Sequence, residues 1–219
     1  MKYFILMVLT SIFLTTNLVS CQKVEVSNKL ANKNAEVKVE KKEAKKTKSV
    51  QKGIVHKDTK ITAKVLFKTN YGEMLVGLYG EAAPVTVKNF LQYVKDGFYS
   101  GLLFHRVIPG FVIQGGGMEP GMIKKVTRNP IKLEIAKGLK HKKGVLSMAR
   151  TMVEDSGTSQ FFICLGSVPS LDNKYAVFGE LLEGTAVLDK IASTSTGRFG
   201  RHKDVPKEDI IIQSAKIIK

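Results

Sequence analysis

Arg106 and Gln114 stand inside a run that is otherwise almost wholly apolar, FHRVIPGFVIQGG at residues 104–116. A guanidinium is almost never fully buried without a partner, so this run is not plain core. Arginine stays charged and presents several N–H donors in one rigid plane, and glutamine offers both donors and an acceptor. Such groups can bind and stabilise polar or charged parts of a ligand. Read as two short strands joined by a Pro109-Gly110 turn, the run sends alternate side chains to opposite faces. One set fills a core, and the other, with Arg106, Phe111 and Gln114, lines an outer surface.

No other chemistry nominates itself. His56, His105, His141 and His202 do not pair with one another or with cysteine at metal-ligand spacing, so no metal site is expected. There is no G-x-S-x-G elbow and no H-E-x-x-H pair, and the Gly115-Gly116-Gly117 triplet lacks the Gly-Lys-Ser/Thr of a phosphate loop. No Ser/His/Asp set identifies itself in the sequence. His105 is read as structural.

The elements that position these residues follow from periodicity. Segments 61–67 and 74–79 read as two strands joined by an Asn70-Tyr71-Gly72 turn. Val87, Phe90, Leu91 and Val94 fall on one face of a helix that Pro84 opens and Gly97 ends. A second helix covers 185–192, with Val187, Leu188 and Ile191 on one face. Short apolar segments at 104–108, 111–114, 131–135, 145–149, 161–165, 176–181 and 210–218 read as further strands. Many strands, two helices and one core suggest a mainly β, closed or nearly closed barrel.

Five motifs then fall into register: Ala82 to Phe90 (AAPVTVKNF), Phe104 to Gly116, Gly144 to Arg150 (GVLSMAR), Ser159 to Cys164 (SQFFIC) and Leu171 to Gly179 (LDNKYAVFG). From about Ile61 to the end the chain closely resembles the cyclophilins, the peptidyl-prolyl cis/trans isomerases. The resemblance implies a closed eight-stranded antiparallel β-barrel capped by two α-helices, with the substrate groove outside, because side chains fill the interior. It implies rotation about Xaa-Pro bonds with no cofactor. Arg106 is the expected catalytic donor, and Gln114 holds the guanidinium or the substrate carbonyl. Phe111, Val112, Phe162 and Leu171 are expected to wall a proline pocket. Ala149, Arg150 and Gln160 would meet the peptide backbone, and the Tyr175 hydroxyl a substrate carbonyl. Phe104 and Phe161 are read as core.

Four positions depart from the frequent family pattern. Tyr175 stands where many members have histidine, Val112 where methionine is frequent, and Arg150 where asparagine is. Ser170 occupies the place of the tryptophan of cyclosporin-sensitive members, so weak cyclosporin binding is expected. Arg150 adds positive charge, which favours acidic residues near the proline.

The first 60 residues read differently. Residues 1–20 carry a lysine and then a nearly unbroken apolar stretch of signal-peptide length, and Leu18-Val19-Ser20-Cys21 matches a bacterial lipobox. Cys21 is the expected lipid attachment site, since acyl chains can hold a domain on a membrane without a spanning helix. Residues 22–60 hold 12 Lys against 5 Asp and Glu, with no aromatic residue, and read as a solvated tether. This tether carries +7 of the formal +16 net charge, which weakens any argument for nucleic-acid binding. With Cys21 lipidated, Cys164 remains as a lone, inert core thiol. The domains are thus 1–20 signal peptide, 21–60 lipidated cysteine and tether, and 61–219 the isomerase. The expected protein is an exported, monomeric enzyme on a bacterial cell membrane, acting on proline-containing peptides and folding exported proteins. A membrane-anchored chaperone or binding module using the same groove is the alternative.

Overall fold

The computed structural model describes His56 and residues 59–219. The expected signal peptide, Cys21 and all but three residues of the expected tether lie outside the described residues. Among the described residues, no helix is long and apolar enough to cross a membrane.

The domain is built on one antiparallel sheet. Strand β1 (Ala63–Thr69) turns tightly into β2 (Gly72–Leu78), with Thr69 opposite Gly72. The Thr69 hydroxyl donates to the Gly72 carbonyl at 2.8 Å and accepts from the Tyr71 N–H at 3.0 Å. Helix α1 (Pro84–Lys95) follows, then β3 (Arg106–Ile108), β4 (Val112–Gly115) and a small hairpin of β5 (Met118–Glu119) and β6 (Ile123–Lys124). Next come β7 (Val145–Met148), β8 (Phe161–Cys164), β9 (Val177–Glu183) and helix α2 (Thr185–Ala192). A second small hairpin, β10 (Thr196–Phe199) with β11 (His202–Pro206), precedes the closing strand β12 (Ile212–Ile218). The main sheet has eight strands in the order β12-β1-β2-β9-β7-β8-β4-β3.

The expected closed barrel is therefore only partly met. The sheet is curled but open, because β12 and β3 at its ends share no ladder. A single bridge, Leu103 to Ile211, joins them, flanked by Phe104 N–H to Ile210 O (2.9 Å) and Ile212 N–H to Leu102 O (2.8 Å). These bonds use residues just before β3 and at or just before the start of β12, and form no continuous ladder between the two strands.

Segment 131–135, expected as a strand, is not one apart from an isolated bridge of Ile131 to Gly157. Its task is to deliver Glu134. Helix α1 has no side-chain cap of its own. The Glu134 carboxylate accepts instead from the Val85 N–H (3.0 Å), the Thr86 N–H (2.7 Å) and the Thr86 hydroxyl (2.7 Å). A carboxylate there satisfies orphan helix donors and matches the positive end of the helix dipole.

Helix α1 buries Thr86, Val87, Phe90, Tyr93 and Val94 against the sheet. Phe90 meets Phe178 (ring centroids 5.0 Å), Tyr99 (5.3 Å) and Phe161 (5.6 Å), all inside the core. Phe104 and Phe161 are fully buried, as the pattern implied. On the other flank α2 buries Leu188 and Ile191. Because Phe90 is the hub of this cluster, Phe90→Ala is expected to destabilise the fold by about 3–5 kcal/mol. Urea unfolding of the two proteins checks this, and a change under about 1 kcal/mol would show that the helix does not depend on that ring.

Candidate active site

The groove is assembled from strand alternation. In the β3–β4 pair Arg106 lies opposite Gln114, Val107 opposite Ile113 and Ile108 opposite Val112. Val107 and Ile113 point into the core at 1% and 0% exposure, which leaves Arg106 and Gln114 on the outer face. The turn between the strands is tight, with the Phe111 N–H on the Ile108 carbonyl at 3.0 Å, and Gly110 supplies the left-handed φ of 73°. Strand β8 runs beside β4 and sets Phe162 opposite Gln114 and Cys164 opposite Val112. These outward residues form a second apolar cluster, Val112, Phe162 and Cys164, flanked by Phe111, Ala149, Leu171 and Tyr175.

A single cavity of about 140 Å³ opens over this cluster. It is lined by Arg106, Phe111, Val112, Gln114, Ala149, Arg150, Phe162, Leu171 and Tyr175. Nine expected site residues thus meet at one place, although they span 70 positions of sequence. Gln160, the tenth, is not in the lining. Its Oε1 accepts from Gln114 Nε2 at 2.9 Å, so it orients Gln114. Gly117 makes room for it, since a Cβ there would strike the Gln160 side chain.

Of the two roles expected of Gln114, the bond to the guanidinium is not made, since its Nε2 donates to Gln160. Arg106 is anchored instead by Asp204, with Nε 3.4 Å from Oδ2. Arg150 is fixed on the opposite side of the groove. Its Nε donates to the Lys174 carbonyl (3.0 Å), its Nη1 to the Thr151 carbonyl (3.0 Å), and its guanidinium lies over the Tyr175 ring at 4.9 Å. Two guanidinium groups and no carboxylate line the cavity.

Behind the apolar wall lies a network that sequence reasoning missed. His141 Nε2 lies 2.9 Å from the Ser147 hydroxyl, and its Nδ1 lies 3.0 Å from Asp172 Oδ1, which also accepts from the His141 N–H at 2.9 Å. The connectivity is that of a hydrolase triad, but Ser147 is 0% and His141 1% exposed, so no substrate reaches the hydroxyl. Its role is support. The His141 imidazole stacks on Phe162 at 6.0 Å, and Tyr175 meets the same ring edge-on at 5.5 Å. Burial lowers the imidazole pKa and outweighs the pull of Asp172, so His141 is neutral. For Asp172, burial acts upward, but hydrogen bonds from His141 and Lys140 win and hold the carboxyl below its usual range. Only the His-to-Asp spacing across 31 residues could have signalled this network, and that spacing is not a recognisable motif.

Burial pushes the Cys164 thiol up to about 12, with the Asp172 charge adding to it, so this cysteine is inert. Among the described residues no group of three or more His, Cys, Asp or Glu side chains is placed to hold a metal ion.

With this geometry in hand, the relationship to known proteins is direct. The family model for cyclophilin type peptidyl-prolyl cis-trans isomerase/CLD matches residues 64–217. The chain belongs to the cyclophilin family. It is 48% identical over 161 residues to peptidyl-prolyl cis-trans isomerase B of Escherichia coli (strain K12), a match covering 70% of this chain and 98% of the relative. A peptidyl-prolyl cis-trans isomerase of Acinetobacter baylyi is 48% identical over 158 residues, covering 70% of this chain and 84% of that one. Among solved structures, a cyclophilin type isomerase of Cryptosporidium parvum, crystallised in the presence of the dipeptide Ala-Pro, superposes with a TM-score of 0.64 at 32% identity. That match covers 71% of this chain and 99% of the other. This cyclophilin is a peptidyl-prolyl cis-trans isomerase.

His105, beside Arg106, makes the stability of the fold depend on pH. Burial, reinforced by the positive Arg106 and by His202, lowers its pKa from 6.5 to about 4 despite a bond to the Leu103 backbone. Between those values the unfolded chain binds the proton and the folded one does not, so stability falls as pH drops through that window. The loss expected from His105 is about 3 kcal/mol, complete near pH 4. Urea midpoints measured across the window should fall steeply for the wild type and less for His105→Gln. Equal slopes would show that His105 is not the group responsible.

Proposed function

We propose that this cyclophilin isomerises Xaa-Pro bonds in exported proteins while held on a bacterial membrane by lipid on Cys21. The observation that carries the catalytic half is the cavity in which Arg106 faces an apolar floor of Phe111, Val112, Phe162 and Leu171.

The mechanism follows from the amide. Partial double-bond character makes uncatalysed Xaa-Pro exchange take about 10–100 s at room temperature. Reaching milliseconds needs about 5–7 kcal/mol off the barrier. In the twisted transition state the prolyl nitrogen is pyramidal and its lone pair is localised. A donor aimed at that nitrogen binds the twisted state more tightly than either planar isomer. Arg106 supplies the donor. The proline ring rests on the apolar floor, Gln114 and Tyr175 reach the flanking carbonyls, and Ala149 lies along the peptide backbone. Gln160 acts through Gln114. Arg150, stacked on Tyr175, adds positive charge that favours acidic residues beside the proline. No bond is made or broken, so no nucleophile or cofactor is required.

The location rests on sequence. The lipobox ending at Cys21 supports an anchor, and the lysines that follow suit a tether close to anionic headgroups. The enzyme works there as a monomer on extracytoplasmic folding chains.

Two experiments test this reading. In a peptide isomerisation assay, Arg106→Ala is expected to lower kcat/KM by about 10²–10³-fold with the fold intact. A wild-type rate equal to the uncatalysed reaction would sink the catalytic proposal. Metabolic labelling with palmitate should mark the wild type and not Cys21→Ala, and an unlabelled wild type would remove the anchor.

A further inference from the structure

The catalytic arginine is held by a residue that none of the sequence motifs contains. Asp204 lies 98 positions beyond Arg106, on β11 of the small hairpin outside the main sheet. Its Oδ2 is 3.4 Å from Arg106 Nε, and the two side chains are 39% and 41% exposed. An ion pair so open to water contributes little to stability. Its effect is geometric. A guanidinium has five N–H donors in one plane, one on Nε and four on the two Nη atoms. Asp204 occupies the Nε edge. Among the described residues no protein acceptor takes a hydrogen bond from either Nη of Arg106.

A second observation points to the same residue. Asp204 adopts φ of 60°, a left-handed conformation, at the bulge where the β10–β11 register shifts between Gly197 and Phe199. Three non-glycine residues have positive φ among the described residues, and the other two, Met122 and Asn173, lie outside strands. A bulge bends its strand and redirects the side chain it carries, and here that side chain is Asp204. The hairpin packs along β3, which is the open edge of the sheet and the strand that carries Arg106.

We propose that Asp204 is a positioning residue for Arg106: it clamps the Nε edge, fixes the plane of the guanidinium, and leaves the Nη edge to face the prolyl nitrogen. Gln114 makes no hydrogen bond to the guanidinium; its Nε2 donates to Gln160. The inference rests on the isomerase reading of the groove. It makes Asp204 matter for turnover and little for substrate binding, since the apolar floor that holds the proline does not include it.

The test uses the full chain with Asp204→Ala, Asp204→Asn and Asp204→Gly, assayed for kcat and KM separately and for thermal midpoint. Asp204→Ala should lose roughly tenfold in kcat with KM nearly unchanged, as expected when a catalytic group is misaimed. Asp204→Asn keeps an acceptor oxygen and should recover most of the rate. Asp204→Gly suits the left-handed backbone and should keep or raise the thermal midpoint, yet lose as much rate as Asp204→Ala. In an Arg106→Ala background, Asp204→Ala should cost nothing further. The NMR resonance of the Arg106 Nε–H should shift in Asp204→Ala. An Asp204→Ala enzyme with wild-type kcat, or a loss that persists undiminished without Arg106, would overturn the proposal. So would a loss that simply follows the thermal midpoint. An unmoved Nε–H resonance would overturn the ion pair itself. A wild type no faster than the uncatalysed reaction, with the resonance still sensitive to Asp204, would instead sink the isomerase reading and leave the clamp standing.

Discussion

The stacked contact between Phe67 and Phe161, ring centroids 5.4 Å apart, lies at the centre of the sheet's inner face. It decides which side of each strand is inside. Phe161 is an inward residue of β8, so its neighbour Phe162 must point outward, and Gln114 opposite Phe162 must do the same. Arg106, opposite Gln114, follows. A slip of one residue in any of these strands would exchange core and groove. Phe90, Tyr99 and Phe104 pack around Phe161 and fill this part of the core, while the lined cavity opens on the outer face.

The groove then has two kinds of support. Its apolar floor is braced from behind by Ser147, His141 and Asp172, a chain of hydrogen bonds that leaves no polar atom of the imidazole unsatisfied. A buried polar network of this kind is worth keeping only when complete, and here it fixes the ring on which Phe162 stacks. Its charged rim is set by bonds to fixed acceptors: two backbone carbonyls for Arg150 and a carboxylate for Arg106. Catalysis by a preorganised donor needs both, since the donor gains nothing unless the proline is seated and the guanidinium is already aimed.

Local periodicity reaches a long way in this chain. The β1–β2 hairpin, both helices and the alternation through residues 104–116 are short-range patterns, and folding keeps them. The expected closed barrel and the strand at 131–135 are different. Apolar content alone reads 131–135 as strand, but Glu134 sits within it, and a carboxylate that satisfies the start of α1 outweighs one more ladder. Closure depends on how two sheet edges meet in space, and here a single bridge replaces a ladder.

By itself, the sequence determined the faces of β3 and β4: Arg106 and Gln114 come out where Val107 and Ile113 go in, while Phe111 reaches the same surface from the turn and Phe162 was placed there by the family resemblance. Side-chain period along a strand is a local property, so it is written in neighbouring residues. Only the tertiary structure decided what holds those residues. Asp204 reaches Arg106 across 98 positions, Glu134 reaches α1 across 48, and Asp172 reaches His141 across 31. Each is one side chain reaching across to a distant segment. It depends on the packing of whole elements, and it leaves no periodic trace in the chain.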